Sequence, residues 1–538
     1  MSLAAVLLLT VTAGCSGSAE YAADVEAEAP MVMESYAETT TDFAYPMNGS
    51  FDDYAIETPD FNTEEYNTIV ENRFLSVVTS PLSTFSADVD TASYTNVRRY
   101  IDDKELPPAD AVRIEELLNY FTYDYPEPDG DEPFSVTTEI SDCPWNADTK
   151  LLLIGLQAEK PDTEQLPPSN LVFLIDVSGS MDSADKLPLV KEAFMLLTEQ
   201  LGENDRVSIV TYASSDKVVL KGATGEDKQD IMDAINLLQA GGATAGSDGI
   251  KTAYKLAEEY FIEGGNNRVI LATDGDLNVG VTSEGELTRL VEKKRESGVF
   301  LSVMGFGTGN IKDNKMEALA DNGNGSYHYI DSENEARRVL VEEMGGTLFT
   351  VAKDVKFQVE FNPAVIKGYR LIGYENRVME AEDFDDDTKD AGEIGAGHRV
   401  TALYEIVEVD SPMEIAAPEL TYQTSGDSGS DEYLQLKVRY KEPDGDTSKL
   451  LTYPVGQDAY TAEPSNDFVF ASAVAQYGML LRQSAYSGTA TYESILEQLN
   501  SRLGLLSDDY RYDFRRIVEH TAMIAELESF SVSASDAE

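Results

Sequence analysis

The chain has 538 residues, with 98 Asp or Glu against 40 Lys or Arg and a formal net charge of -58. That length exceeds a single core and predicts roughly three to four domains. The charge argues against nucleic acid as a partner, because phosphate-backbone binding runs on clustered cations, whereas an acidic surface concentrates divalent cations, maintains solubility or suits a salty habitat.

In chain order, residues 1–15 carry the apolar run "LAAVLLLTVTAGC", too short to span a bilayer. Such a run reads as a secretory signal, and its Ala-Gly-Cys-Ser end resembles a bacterial lipobox. That resemblance implies lipidation of Cys15 and a cell-envelope protein anchored to a membrane, facing periplasm or exterior. Cys143, the other of the two cysteines, is then expected to be a free, half-buried thiol. Residues 16–72 contain no Lys or Arg, the first being Arg73, and no sustained apolar periodicity, which predicts a disordered acidic tether.

Residues 73–165 read as an N-terminal helical and β segment. Thr91 and Asp110 are candidate N-caps, Val112, Leu117 and Phe121 are spaced apolar positions, and "FSVTTEI" and "TKLLLIGLQAE" have strand texture. From 166 to 350, apolar strands such as "LVFLI", "RVSIVTYA", "NRVILATDGD" and "FLSVMGFG" alternate with amphipathic helical stretches such as "KLPLVKEAFMLLTEQL". This alternation predicts a doubly wound α/β domain with a mainly parallel sheet. Residues 351–460 switch to period two, as in "VKFQVEF" and "YLQLKVRY", and predict antiparallel strands of a β-sandwich. Because strands flank the α/β domain on both sides, that domain is expected to be inserted into the β domain, with "TTEI" and "LLLIGL" pairing beyond residue 350. Residues 461–530 return to helical spacing, at Phe470, Val474, Tyr477 and Leu481 and again at Ile495, Leu499, Leu503 and Leu506, and 531–538 read as an acidic tail.

The chemistry concentrates in "LVFLIDVSGSMDSADK", where a buried strand runs into Asp176, Ser178 and Ser180. Ligands of open α/β sheets bind beyond the carboxyl ends of strands, which is where Asp176 falls. One carboxylate and two hydroxyls on alternate residues converge on one side. They are hard oxygen donors without imidazole or thiolate, a set suited to Mg²⁺, Mn²⁺ or Ca²⁺. "AGGATAGSDGI" adds Thr244 after a glycine pair, and "LATDGD" adds Asp274 after another buried strand.

This combination closely resembles the von Willebrand factor A domain and its metal-ion-dependent adhesion site. The resemblance implies a divalent cation contacted directly by Ser178, Ser180 and Thr244, and by Asp176 and Asp274 mainly through water. It also implies a protein partner whose Asp or Glu completes the coordination, and hence adhesion or envelope assembly without turnover. "PLSTFSADVDTASYTNVRRY", "LPPADAVRIEELLNYFTYDYP" and "GEIGAGHRVTALYEI" resemble bacterial cell-envelope lipoproteins that carry such a domain between flanking regions.

The rival readings are a metal-dependent envelope hydrolase and a metal-free scaffold. A haloacid-dehalogenase-type phosphotransferase needs a second Asp where Ser178 stands. "GDSGS", Gly426 to Ser430, resembles a serine-protease loop but lacks its final glycine. The three histidines, His328, His398 and His520, fall in an apparent strand, a turn and a helix. "DFDDDTKDAGE" has calcium-loop spacing at Asp383, Asp385 and Asp387, but Thr388 and Ile394 replace the required Gly and Glu, so a solvated acidic loop is expected.

Overall fold

Leu171 to Ile175 are apolar without interruption, and alternate side chains of this run enter two different cores, Leu171, Phe173 and Ile175 on one face and Val172 and Leu174 on the other. A strand buried on both faces demands covering helices on both sides and parallel neighbours. In the computed structural model, which describes residues 63–160, 166–242, 248–275, 284–343, 346, 348–417, 429–443 and 445–535, that demand is met. The central sheet runs Tyr327–Ile330, Phe300–Phe306, Asn266–Thr273, Ser169–Asp176, Arg206–Tyr212, Asp216–Thr224. The first four pairings are parallel. The last is an antiparallel hairpin to Asp216–Thr224, an edge strand the alternation did not announce.

The chain leaves a second body at Ala158 and returns to it at Thr350. Lys150–Ala158 pairs antiparallel with Arg399–Glu408 from Gln157↔Arg399 to Lys150↔Ile406, so the α/β domain is inserted between strands of one β-sandwich. "TTEI" departs from expectation: Phe134–Asp142 forms its ladder with Lys150–Ala158, and beyond 350 it makes only the isolated bridge Ile140↔Tyr460 among the described residues. The opposing sheet is built on Thr350–Phe361, whose Val355, Phe357, Val359 and Phe361 point inward against Phe85, Tyr369 and Tyr404. On its other face, Lys356 and Gln358 are buried where exposure was expected. The acidic segment 381–387 covers them: Lys356 Nζ donates to the Asp383 and Asp386 carbonyls at 3.0 and 2.7 Å, and Gln358 Nε2 to that of Ala381 at 3.2 Å.

Residues 73–165 do not stand as one segment. Their strands join the sandwich, while the helices Ala92–Asp102 and Ile114–Asn119 pack with the C-terminal helices in one core through Tyr94, Leu117, Phe121, Phe470 and Phe514. The helix Asn466–Leu481 sits centrally there, with 13 of its 16 residues buried. Thr91 occupies the N-cap position of Ala92–Asp102 without capping it, and Asp110 lies inside the short turn Ala109–Ala111. The spacing through Leu503 breaks because Tyr492–Leu499 ends there; Gly504 turns the chain at φ +80° and Leu503 is fully exposed. The last helix, Asp509–Ser535, runs into the expected tail. Cys143 is fully buried, and burial pushes its thiol up to about 12.

Part of the expected tether is docked. Thr63 N donates to the Gly309 carbonyl at 2.9 Å, Glu64 accepts from Arg99 and Tyr100, and Glu65 pairs with Lys312 at 2.8 Å. Two of these residues, Glu64 and Glu65, thus have their charge cancelled locally, which the uniform acidity of the segment concealed. Residues 1–62, including Cys15, lie outside the described residues.

Tyr125 lies across the backbone of Gly155 in the middle of Lys150–Ala158, its hydroxyl 3.0 Å from Thr401 Oγ1. A methyl at Gly155 would stand 2.4 Å from the ring. Gly155→Ala is therefore expected to lower stability by about 1–3 kcal/mol through overpacking, read as a drop in melting temperature.

Candidate functional site

Asp176 is the last residue of its strand and is fully buried. The chain turns at once, because Asp176 Oδ1 accepts the Ser178 N–H at 2.8 Å, a local bond that replaces the strand ladder. Ser178 precedes the 3₁₀ turn Gly179–Asp182, and its hydroxyl lies 2.9 Å from that of Ser180, which is exposed. The three predicted donors are thus brought together. Asp176 Oδ2 is sealed from solvent and has no hydrogen-bond partner among the described residues. Burial, with the Asp274 carboxylate adding repulsion, pushes Asp176 up to about 6 despite the lowering effect of its bonds to Ser178 and of the nearby Tyr212 hydroxyl.

The neighbouring loops are fixed by backbone bonds. Gly241 N donates to the Val177 carbonyl at 2.9 Å and Gly179 N to that of Gly242 at 3.0 Å, so the glycine pair before Thr244 lies against the Asp176 turn. Gly242 has φ +92°, and a Cβ there would stand 2.9 Å from Ser214 Oγ, which explains the need for glycine. Thr244 itself lies outside the described residues.

Asp274 directly follows the strand Asn266–Thr273, buried, with the Lys186 ammonium 2.9 Å from its Oδ2. Lys186 stands immediately before the helix Leu187–Gln200, and its stem lies along Gly307, where a Cβ would meet Lys186 Cγ at 2.3 Å. Sequence reasoning missed this lysine. The available signal was its place: a cation at a helix N-terminus opposes the helix dipole and needs an anion to hold it there.

Two carboxylates, one ammonium and a hydroxyl pair therefore meet at the carboxyl ends of adjacent parallel strands. The donors are all oxygen, and one buried carboxylate oxygen has no hydrogen-bond partner among the described residues, so the residues fit a hard divalent cation. Of the histidines, none is placed in this turn: His328 is buried, bonded to Thr91 Oγ1 at 3.1 Å and Ser326 Oγ at 2.9 Å, and burial lowers it to about 3.

Comparison with known proteins agrees with this architecture. The family description "von Willebrand factor type A domain" matches residues 170–343, "Uncharacterized protein YfbK, C-terminal" matches 346–524, and "von Willebrand factor" matches 60–153. The Escherichia coli (strain K12) "Uncharacterized protein YfbK" is 42% identical over 468 residues, covering 85% of this chain and 81% of its own. The chain belongs to the YfbK family. The Synechocystis "Uncharacterized protein sll0103" is 30% identical, covering 56% of this chain and 69% of its own. Human inter-alpha-trypsin inhibitor heavy chain H3 is 31% identical over 194 residues, of which this chain spans about a fifth, 22%. Among solved structures, "von Willebrand factor type A from Catenulispora acidiphila" is 18% identical with a TM-score of 0.40, covering 74% of this chain and 91% of that one. This YfbK relative accordingly carries, between 170 and 343, a protein-interaction module of the adhesion type.

Proposed function

We propose that the chain is a membrane-anchored protein-binding module of the bacterial cell envelope. It captures its partner through a divalent cation, Mg²⁺ with Mn²⁺ or Ca²⁺ as alternatives, held by Asp176, Ser178, Ser180, Thr244 and Asp274. The lipid anchor is Cys15. The observation that carries the reading is the sealed Asp176 Oδ2, without a hydrogen-bond partner among the described residues, beside the Ser178 and Ser180 hydroxyls. Lys186 balances Asp274, so the protein supplies about one net negative charge to a doubly charged cation. The surplus positive charge and the incomplete oxygen shell favour an Asp or Glu carboxylate from a partner. That balance supports adhesion or envelope assembly.

Calorimetric titration of Mg²⁺ into the whole chain tests the reading. Saturable uptake is expected in the parent and not in Asp176→Ala, with the melting temperature of the variant in chelator at or above that of the parent, because a buried carboxylate has been removed. Unchanged uptake in Asp176→Ala would sink the cation assignment. Collapse of the variant's thermal transition would instead mark Asp176 as a structural residue and favour the scaffold.

A further inference from the structure

Well away in the sequence from the Asp176 turn, carboxylates meet where the inserted domain rejoins the sandwich. Asp354 lies on the first strand after the insertion, Thr350–Phe361, and Asp390 and Glu393 come from the segment that supplies its partner strand Gly392–Gly395. One oxygen from each of the three lies within 4.8 Å of the other two. Two of these acids have cations. Lys441 Nζ lies 2.7 Å from Asp354 Oδ2, and Asp390 pairs with Arg295 at the end of the inserted domain's helix Glu284–Arg295. Glu393 differs: its Oε1 is sealed from solvent and no hydrogen-bond donor reaches it among the described residues.

Asp390 and Glu393 also line a cavity of about 240 Å³, whose wall includes Asp88, Asp90, Asp321 and Arg377. The single Arg377 guanidinium serves all three of those aspartates, at 3.1, 3.2 and 2.8 Å. The seam therefore holds more carboxylate than cation, with Asp390 exposed at its rim, and Glu393, whose Oε1 has no hydrogen-bond partner among the described residues, lines a space large enough for several waters. Burial, with repulsion from Asp390 and Asp354, holds the Glu393 proton on well above the usual carboxylate range. A buried charge that is neither paired nor solvated is costly unless a cation or proton joins it.

We propose that Asp354, Asp390 and Glu393 form a second divalent-cation site, of Ca²⁺ class, that ties the first strand after the inserted domain to its partner strand in the β-sandwich. The donors are all oxygens, and a carboxylate cluster completed by cavity water suits the adaptable shell of Ca²⁺ better than the strict octahedron of Mg²⁺. The calcium-like spacing of Asp383, Asp385 and Asp387 is not the site; the downstream end of the same stretch supplies it, joined to Asp354 across the ladder.

The test uses the whole chain carrying Asp176→Ala, which separates this site from the one proposed above. Titration with Ca²⁺ is expected to show one saturable site and a rise of several degrees in melting temperature. Adding Glu393→Gln should weaken Ca²⁺ at least tenfold and abolish that rise, while melting in chelator stays at or above the parent because a neutral isostere replaces an unpartnered acid. If Glu393→Gln does not fold, Asp390→Asn is read for Ca²⁺ affinity and for loss of the Ca²⁺-induced rise alone, since it also breaks the pair with Arg295. Absence of Ca²⁺ binding in the Asp176→Ala chain, or full binding after Glu393→Gln, would overturn the proposal and leave a proton as the group that neutralises Glu393.

Discussion

Replacing Lys186 with methionine is expected to destabilise the chelated protein by roughly 3–5 kcal/mol, because one partner of a buried ion pair is removed and the other stays buried. The pair is well shielded, with side-chain exposures of 10% for Lys186 and 0% for Asp274 at 2.9 Å. Methionine fills much the same volume along Gly307, so the loss is chiefly electrostatic. The same substitution should strengthen cation binding. A unit charge about 4 Å from another is worth about 4 kcal/mol at an effective dielectric of 20, and damping by water and by the second charge of the cation shell leaves a gain on the order of tenfold to a hundredfold. The two effects have opposite signs: in chelator the variant melts below the parent, and with saturating Mg²⁺ most of the difference disappears. Melting curves of parent and variant, with and without Mg²⁺, measure both. A loss that Mg²⁺ does not repair would make Lys186 the permanent counter-ion of Asp274 and remove the basis for a cation at this turn.

How much of this was legible in the sequence follows from what is local and what is not. The parallel sheet was readable because Leu171 to Ile175 and its counterparts are uninterrupted apolar runs between helical stretches, and periodicity is a short-range signal. Asp176, Ser178 and Ser180 were readable for the same reason: a turn after a strand brings its own neighbours together, as the bond from Ser178 N to Asp176 Oδ1 shows. Lys186 was not, since its role depends on Asp274, 88 residues away. The union of Tyr94 and Phe121 with Phe470 and Phe514 was hidden likewise, because each helix shows an apolar face and none says which face covers it. The acidic stretch 383–393 misled by its own spacing. Its carbonyls serve Lys356 and its last acids meet Asp354, contacts set by strand pairing and invisible to a linear motif.

The seam between the inserted domain and the rest of the chain should loosen as pH rises. Arg113 pairs with Glu116, Asp313 and, at 3.6 Å, Glu317, while Arg377 pairs with Asp88, Asp90 and Asp321 and reaches Glu317 at 3.9 Å. Tyr327 N and Asn376 Nδ2 add neutral donors, to Asp90 and Glu317 respectively. Carboxylates outnumber guanidiniums, and burial, augmented by mutual repulsion, raises Glu116 to about 8 and Glu317 to about 7 and moves Asp90 and Asp321 upward, against the partial relief given by the two arginines. A carboxyl whose pKa is higher folded than unfolded binds more protons in the native state, so its contribution is fully present below the unfolded value of 4.5 and is lost as pH rises towards the folded value. The melting temperature in chelator is therefore expected to be higher at pH 5.5 than at pH 8. Glu64 and Glu335, lowered by Arg99 and by Arg338 with Arg98 against the cost of burial, act in the opposite direction below pH 4.5, and burial of His328 and His398, lowered to about 3 and about 4, opposes the trend between pH 6.5 and 5.5, where the more numerous raised carboxyls outweigh the two imidazoles. Arg377→Gln sharpens the test. At pH 8 it should cost roughly 3–5 kcal/mol, the usual consequence of stranding buried charge. At pH 5.5 the cost should be distinctly smaller, since protons on Asp90, Asp321 and Glu317 replace the missing guanidinium. An Arg377→Gln penalty equal at both pH values would mean that these carboxylates stay ionised throughout and that solvent or cations, not protons, carry the balance at the seam.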